Sequence, residues 1–379
     1  MKSLRLLLPI LLIVSLVLAA CAVQTPTDTS EAQKPAEVAD PPGDSTETPT
    51  DEKLVIGISI RNVENPYYVQ IHEAVQMFAE YAGADKFDIQ YVACEASDDK
   101  QLNDVKALIA RGGKNTIIYV DPNNAPVAAA IAKVCEDAGV YWCTAWSYAE
   151  GVHPMDFKYY AFHQTPGQVE STKSMMLSMF ESFRTPNQGK VLGIKGLPAN
   201  TASIDRFAGL EAALAEAPGV ELLDVQVGNW NPQEALTITN TWLSKYDPDE
   251  IDGIWVANDE MALAVIEALK ARGYAGKIKV TGFDGIPDAV NAIVAGDLFA
   301  TVGANPWVQS GLGVAYLYNC WNGTIDTTKL PAEERAFYTE GQVLSSDNID
   351  EYIKNFIDNK PDIDFSNYKS MIFAPMTLN

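Results

Sequence analysis

From residue 54 onward, short apolar runs of strand-forming residues alternate with longer stretches of helical period, and nothing else in the sequence constrains the fold as tightly. Residues 54–60, 87–93, 116–120, 140–145 and 159–163 read as strands, since near-continuous Val, Ile and Tyr suits strands covered on both faces. Between them Asn65-Pro66 opens a helix with Val69, Ala74, Val75, Phe78 and Ala82 on its apolar side, and residues 102–110 and 127–138 repeat the helical period. The cycle then restarts. Helices 167–183, 203–215, 232–245, 261–272 and 289–294 alternate with strands 190–195, 221–227, 253–257 and the short run ending at Thr281. Strand 298–303, helix 308–321, strand 342–344 and helix 348–357 follow, and no element is assigned to residues 362–379. Strands alternating with helices of this length give parallel sheets with helical crossovers. Two such series predict an α/β chain of two doubly wound parallel-sheet lobes. The expected division is residues 54–163 with 306–335 for the N-terminal lobe, and 164–305 with 336–379 for the C-terminal lobe.

The first residues follow different rules. Lys2 and Arg5 precede an apolar run from Leu6 to Leu18, which ends in Ala19-Ala20-Cys21. A basic start, an apolar run too short for a comfortable membrane span and small residues before a cysteine predict a lipoprotein signal over residues 1–21, with a lipid on the Cys21 sulfur. Residues 22–53 are rich in Pro, Thr, Ser, Asp and Glu and hold almost no large apolar side chains, so they predict a disordered acidic tether from a membrane anchor.

Composition and motifs exclude several functions. A net charge of −23 and a pI near 4.4 leave no basic footprint for phosphates, so nucleic acid is not a partner. Cys94, Cys135, Cys143 and Cys320 sit mostly in apolar runs typical of buried free thiols, although export permits disulfides and a Cys135 to Cys143 bridge stays open. Their spacing fits no zinc pattern, and His72, His153 and His163 are scattered. Asp247, Asp249 and Asp252-Gly253 fail the calcium-loop pattern at Ile251. Neither a G-x-S-x-G elbow nor a phosphate-binding loop occurs, and the acids Asp98-Asp99 and Asp259-Glu260 are adjacent rather than placed to flank a bond. A non-enzymatic monomer without metal or cofactor is expected.

In an open parallel sheet, ligands bind beyond the carboxyl ends of the strands. Those ends carry a consistent set: Asn65 with Tyr67 and Tyr68, Asp121, Trp146, Trp230, Asn258, Phe283 with Asp284, and Asn305, with Arg206 just inside the helix after Asn200. Flat aromatic faces beside planar amides, carboxylates and a guanidinium suit a neutral polyhydroxyl ligand. Sugar C–H patches lie on rings, and vicinal hydroxyls match bidentate groups. The structural alternative for Asn258 and Asp284 is helix N-capping, and for Tyr67, Tyr68 and Phe283 it is packing of helix on sheet.

Asn65-Pro66-Tyr67-Tyr68, Ala257-Asn258-Asp259-Glu260-Met261-Ala262-Leu263 and Thr281-Gly282-Phe283-Asp284-Gly285 resemble the ribose-binding-protein branch of the type I periplasmic binding proteins. The resemblance implies two lobes joined by a hinge of three crossover strands, a sugar closed into the cleft between them, and a membrane permease of the ABC class as partner. It assigns Asn65, Tyr67 and Tyr68 to the first lobe's share of the site, and Arg206, Trp230, Asn258, Phe283 and Asp284 to the second lobe and hinge. Trp146-Ser147 stands where the family has an Asp-Arg pair, Val120 or Asp121 where it has a polar residue, and Ala304 or Asn305 where it has Gln or Asp. A more aromatic cleft is implied. The alternative use of the same fold is a sensor presenting a nucleoside or furanone signal to a membrane receptor.

Overall fold

The computed structural model describes residues 53–378. The expected signal segment, Cys21 and all of the tether but Lys53 lie outside the described residues.

The first series forms β1 (Leu54–Ile60), α1 (Pro66–Ala82), β2 (Phe87–Ala93), α2 (Asp98–Gly112), β3 (Thr116–Val120), α3 (Ala125–Ala138), β4 (Tyr141–Ala145) and β5 (Tyr160–Pro166). The second forms α4 (Gln168–Glu181), β6 (Gln188–Lys195), α5 (Thr201–Glu216), β7 (Gly219–Val227), α6 (Pro232–Lys245), β8 (Gly253–Val256), α7 (Asp259–Ala271), β9 (Lys279–Thr281), α8 (Pro287–Val294) and β10 (Ala300–Gly303). Then come α9 (Pro306–Trp321), β11 (Ala336–Thr339), β12 (Gln342–Ser345), α10 (Ile349–Tyr352) and β13 (Ala374–Pro375). Local chemistry sets several boundaries. Helix α2 begins before the expected residue 102 because the Ser97 hydroxyl accepts from the Lys100 amide at 3.2 Å and Asp98 and Asp99 occupy the favourable first turn. The expected helix 348–357 is α-helical only over α10 and continues as a π-helical turn, Ile353–Ile357.

The strands sort into a seven-stranded sheet of order β13-β11-β5-β4-β3-β1-β2 and a six-stranded sheet of order β12-β10-β9-β8-β6-β7. All neighbours run parallel except β12 against β10 and β13 against β11. Buried on both faces, β1 and β3 have no exposed position, as the unbroken apolar runs require. Strand alternation also answers the disulfide question. Trp142 and Cys143 point to opposite faces of β4: Cys143 joins the core with Ile117 and Tyr119, while Cys135 of α3 packs on the other face with Ile118 and Trp142. All four described cysteines are buried free thiols.

The C-terminal region departs from expectation. β11, unassigned in the sequence and grouped with the second lobe, pairs with β5 in the first sheet from Ala336↔His163 to Thr339↔Pro166. The tail also belongs to this side. Phe365 enters the first core against Phe78, and β13 pairs with β11. The chain therefore passes between the sheets after β5, after β10 and between β11 and β12, and once more when residues 358–364 carry it back.

Candidate functional site

On the first side the site grows from the end of β1. Asn65 is extended and caps α1, its Oδ1 accepting from the Tyr67 amide at 2.8 Å with Pro66 starting the helix. That cap fixes Tyr67 and Tyr68 on the first turn, both buried. The Tyr68 hydroxyl donates to Asp121 Oδ2 at 2.7 Å, and the Tyr67 hydroxyl donates to Gln309 Oε1. Asp121 follows β3 and continues its ladder, its amide donating to the Ser59 carbonyl at 2.9 Å. Burial raises the Asp121 carboxyl from the ordinary 3.8 to about 6, despite the Tyr68 hydroxyl and the nearby Arg61 and Arg206.

A folded pKa above the unfolded one means that Asp121 contributes stability fully present below pH 3.8 and lost as pH rises through about 6. Ligand-free Asp121→Asn, which keeps an acceptor for Tyr68, should be more stable than the native chain by roughly 1–3 kcal/mol at pH 8. The difference should vanish at pH 4. Thermal melts at the two pH values check this, and an equal offset at both disproves it.

On the second side Arg206 is the centre. It lies one turn into α5, which starts at the Asn200 cap, and it is buried. Its Nε donates to Gln168 Oε1 at 2.9 Å, and its Nη1 donates to the Ala257 carbonyl at 2.7 Å and to Asp284 Oδ1 at 3.3 Å. Its guanidinium carbon stands 3.7 Å from the Phe283 ring centre, 4.8 Å from Trp146 and 5.5 Å from Trp230, a cage of aromatic faces. Burial disfavours both charges of the pair, raising the Asp284 carboxyl well above its usual range and lowering Arg206.

The backbone is strained where the aromatics sit. Trp146 (φ 68°) and Trp230 (φ 60°) both occupy the left-handed region that bulky residues avoid, at the ends of β4 and β7. Gly196 makes room for the second of them, since a Cβ there would lie 2.2 Å from the Trp230 indole. Asp284 has φ 130° and is followed by Gly285 at φ 76°, where a Cβ would lie 2.7 Å from Gly303 Cα. Asp259 holds this loop. Its Oδ2 accepts from the amides of Gly285 (2.7 Å) and Ile286 (3.0 Å), and its Oδ1 accepts from the Thr301 hydroxyl (2.6 Å).

The two sides enclose a cavity of about 60 Å³ between the sheets. Asn65, Tyr67, Tyr68, Asp121, Trp146, Arg206, Trp230, Asn258 and Asp284 all reach it, as the strand ends predict. Two expected residues do not. Phe283 is buried behind Arg206, and Asn305 serves as the cap of α9, its Oδ1 accepting from the Val308 amide at 3.2 Å. The capping alternative divides likewise: Asn258 does cap α7, through Met261 N at 3.2 Å, whereas the cap of α8 is Ile286 and Asp284 is left to Arg206. Arg61, Asn62, Asn200, Ala202 and Glu260 also line the cavity without having been singled out for it. Arg61-Asn62 and Asn200 follow strands as directly as the residues that were, so the strand-end rule applied without exception would have found them.

The two sides are hydrogen-bonded across the cleft. Asn65 Nδ2 donates to Glu260 Oε2 at 2.8 Å, Asn200 Nδ2 to the Asn123 carbonyl at 3.1 Å, and the Tyr148 amide to the Thr201 hydroxyl at 3.1 Å. The cleft is closed, with polar planar groups above and below a small aromatic-walled space.

Residues 56–325 match the family described as periplasmic binding protein domain. The chain is similar to the ribose import binding protein of Haemophilus influenzae, 23% identical over 280 residues that cover 73% of this chain and 89% of that protein. It is 33% identical to a xylitol-binding protein of Mycolicibacterium smegmatis over 132 residues, 35% of this chain and 37% of that protein, so this second match spans little more than a third of the relative. Among solved structures, a twin-arginine translocation pathway signal protein from Burkholderia phytofirmans superposes with a TM-score of 0.82 at 32% identity, covering 86% of this chain and 100% of that one. The periplasmic binding component of the arabinose ABC transporter from Shewanella sp. ANA-3, bound to L-arabinofuranose, shares the fold with a TM-score of 0.70 at 22% identity over 80% of this chain and 96% of that one. With the family match spanning most of the chain and both sheets present, the chain belongs to the periplasmic binding protein family, type I, in its ribose-binding branch.

Proposed function

We propose that this protein is the sugar-binding subunit of an ABC importer, exported and lipid-anchored through Cys21, and that as a monomer it closes its two lobes over one monosaccharide-sized ligand. The observation that carries the reading is the Arg206–Asp284 pair, buried among the rings of Trp146, Trp230 and Phe283 and lining the same cavity as Tyr67, Tyr68 and Asp121 of the other lobe. Such a site supplies bidentate partners for vicinal hydroxyls and ring faces for C–H patches, and it needs no group that makes or breaks a bond. In this reading Arg206, Asp284, Asp121, Asn65 and Asn258 bind hydroxyls, Tyr67, Tyr68, Trp146 and Trp230 enclose the ring, and Phe283 acts through Arg206. The small cavity and the names of the relatives, which include ribose, xylitol and arabinose binders, agree with it.

Isothermal titration against pentoses, hexoses, polyols and nucleosides should find one sugar or polyol that binds with a Kd of about 1 μM or tighter, equivalent to about −8 kcal/mol. Silence across the sugars and polyols ends this reading, and a nucleoside as the sole binder replaces it.

A further inference from the structure

Gln309 lies on the first turns of α9, outside the cavity lining, and is completely buried. Its side chain has two partners. Oε1 accepts from the hydroxyl of Tyr67, which does line the cavity, and Nε2 donates to the Thr339 hydroxyl at 3.1 Å. Its carbonyl accepts from Gln164 Nε2 at 2.8 Å. Gln164 in turn receives the amide of Trp146, another cavity residue, on its own carbonyl at 3.0 Å.

The positions of these partners give the pattern its meaning. Gln164 is near the end of β5, where the chain leaves the first sheet; Gln309 follows β10, where it returns; Thr339 ends β11, where it leaves again. One buried side chain and its carbonyl thus connect every crossing that precedes the tail to two aromatic walls of the cavity. The geometry points to Gln309 as the positioning residue that couples the cavity to the hinge. Placement of Tyr67 over the ligand and the closed setting of the crossovers are joined through its amide.

The physical reason is that hydrogen bonds inside a low-dielectric core act as a connected chain, and an interrupted chain leaves a buried donor or acceptor unpaired. In this closed structure the Gln309 amide holds both Tyr67 and Thr339, and Gln309 and Thr339 stand where the chain crosses between the sheets, so the coupling requires that hinge opening cost one of the two bonds. The inference rests on the sugar-binding reading, and the test separates the two.

Thr339→Val keeps the shape of a buried residue that has no place in the cavity lining, and removes only its hydroxyl. With the best sugar of the panel, Tyr67→Phe, Gln309→Leu and Thr339→Val should each weaken binding about fivefold, the worth of one net hydrogen bond. The double variant Tyr67→Phe/Thr339→Val should bind within about twofold of Tyr67→Phe alone, because one chain is broken once. Small-angle scattering of the ligand-free protein gives a second readout. Thr339→Val and Gln309→Leu should shift the radius of gyration upward, while Thr239→Val, which removes a hydroxyl bonded to the Ala235 carbonyl within α6, should leave it unchanged. Multiplying losses of about 25-fold in the double variant, or radii identical to the native one, overturn the inference. If no sugar binds the native protein, the sugar reading falls and the scattering result alone decides the role of Gln309.

Discussion

Replacing Arg206 by alanine is expected to abolish measurable sugar binding and to lower the free energy of unfolding by roughly 3–5 kcal/mol at pH 7. The stability loss follows from what the guanidinium satisfies. Without it, Gln168 Oε1, the Ala257 carbonyl and Asp284 Oδ1 lose their donor together, and the rings of Trp146, Trp230 and Phe283 face a void. Asp284 then protonates, since burial already raises its carboxyl. The companion substitution Asp284→Asn should separate function from stability. Its amide oxygen still accepts from Arg206, and the guanidinium keeps Gln168 and the Ala257 carbonyl, so stability falls far less than in Arg206→Ala while binding falls by about 100-fold, the equivalent of one hydrogen bond to a charged group. Urea unfolding and titration of both variants decide the matter. Binding that survives Arg206→Ala would remove Arg206 from the ligand site, and an unfolded Asp284→Asn would make the carboxylate a structural element first.

Asp259→Ala should be nearly as severe, at roughly 3–4 kcal/mol, although the residue lies outside the cavity lining. It orphans the buried amides of Gly285 and Ile286 and the Thr301 hydroxyl, and it frees the loop that presents Asp284 at an unfavourable φ. Binding should fall at least tenfold as that loop relaxes. Asp259→Asn should be mild, because one amide oxygen can still take both backbone amides. Burial raises the native carboxyl to about 6, so at pH 7 the substitution also removes a costly charge. Equal losses for Ala and Asn would mean that the charge, and not the hydrogen-bond geometry, holds the loop.

The Asp259-Glu260 pair shows how far the sequence could be read. Adjacent in the chain, the two acids gave no sign of distinct work. On a helix, neighbouring residues point about 100° apart, and here that turn sends Asp259 into the lobe beneath Asp284 and Glu260 across the cleft to Asn65. Which way each points depends on where α7 sits against β9 and β10, and nothing local to the dipeptide records it. Asn258, by contrast, was legible as a cap because a cap uses only its own helix.

The sequence alone determined the two βα series, their parallel sheets and the concentration of aromatics, amides and acids at the strand ends. Each is a local consequence of side-chain period and turn chemistry, and each survives whatever packs nearby. Only the tertiary structure decided the rest. β11 is too short to state which sheet it joins until β5 offers an edge, and the tail from residue 362 has no assignment until Phe365 finds its place in the first core. Asn305 looked like a ligand residue and became a cap, Phe283 withdrew behind Arg206, and Gln309 acquired partners 242 residues before it and 30 after it. The division has one physical cause. Period and capping depend on energies between residues a few positions apart, whereas a hydrogen bond across hundreds of residues exists only once the folded core has brought its two ends together.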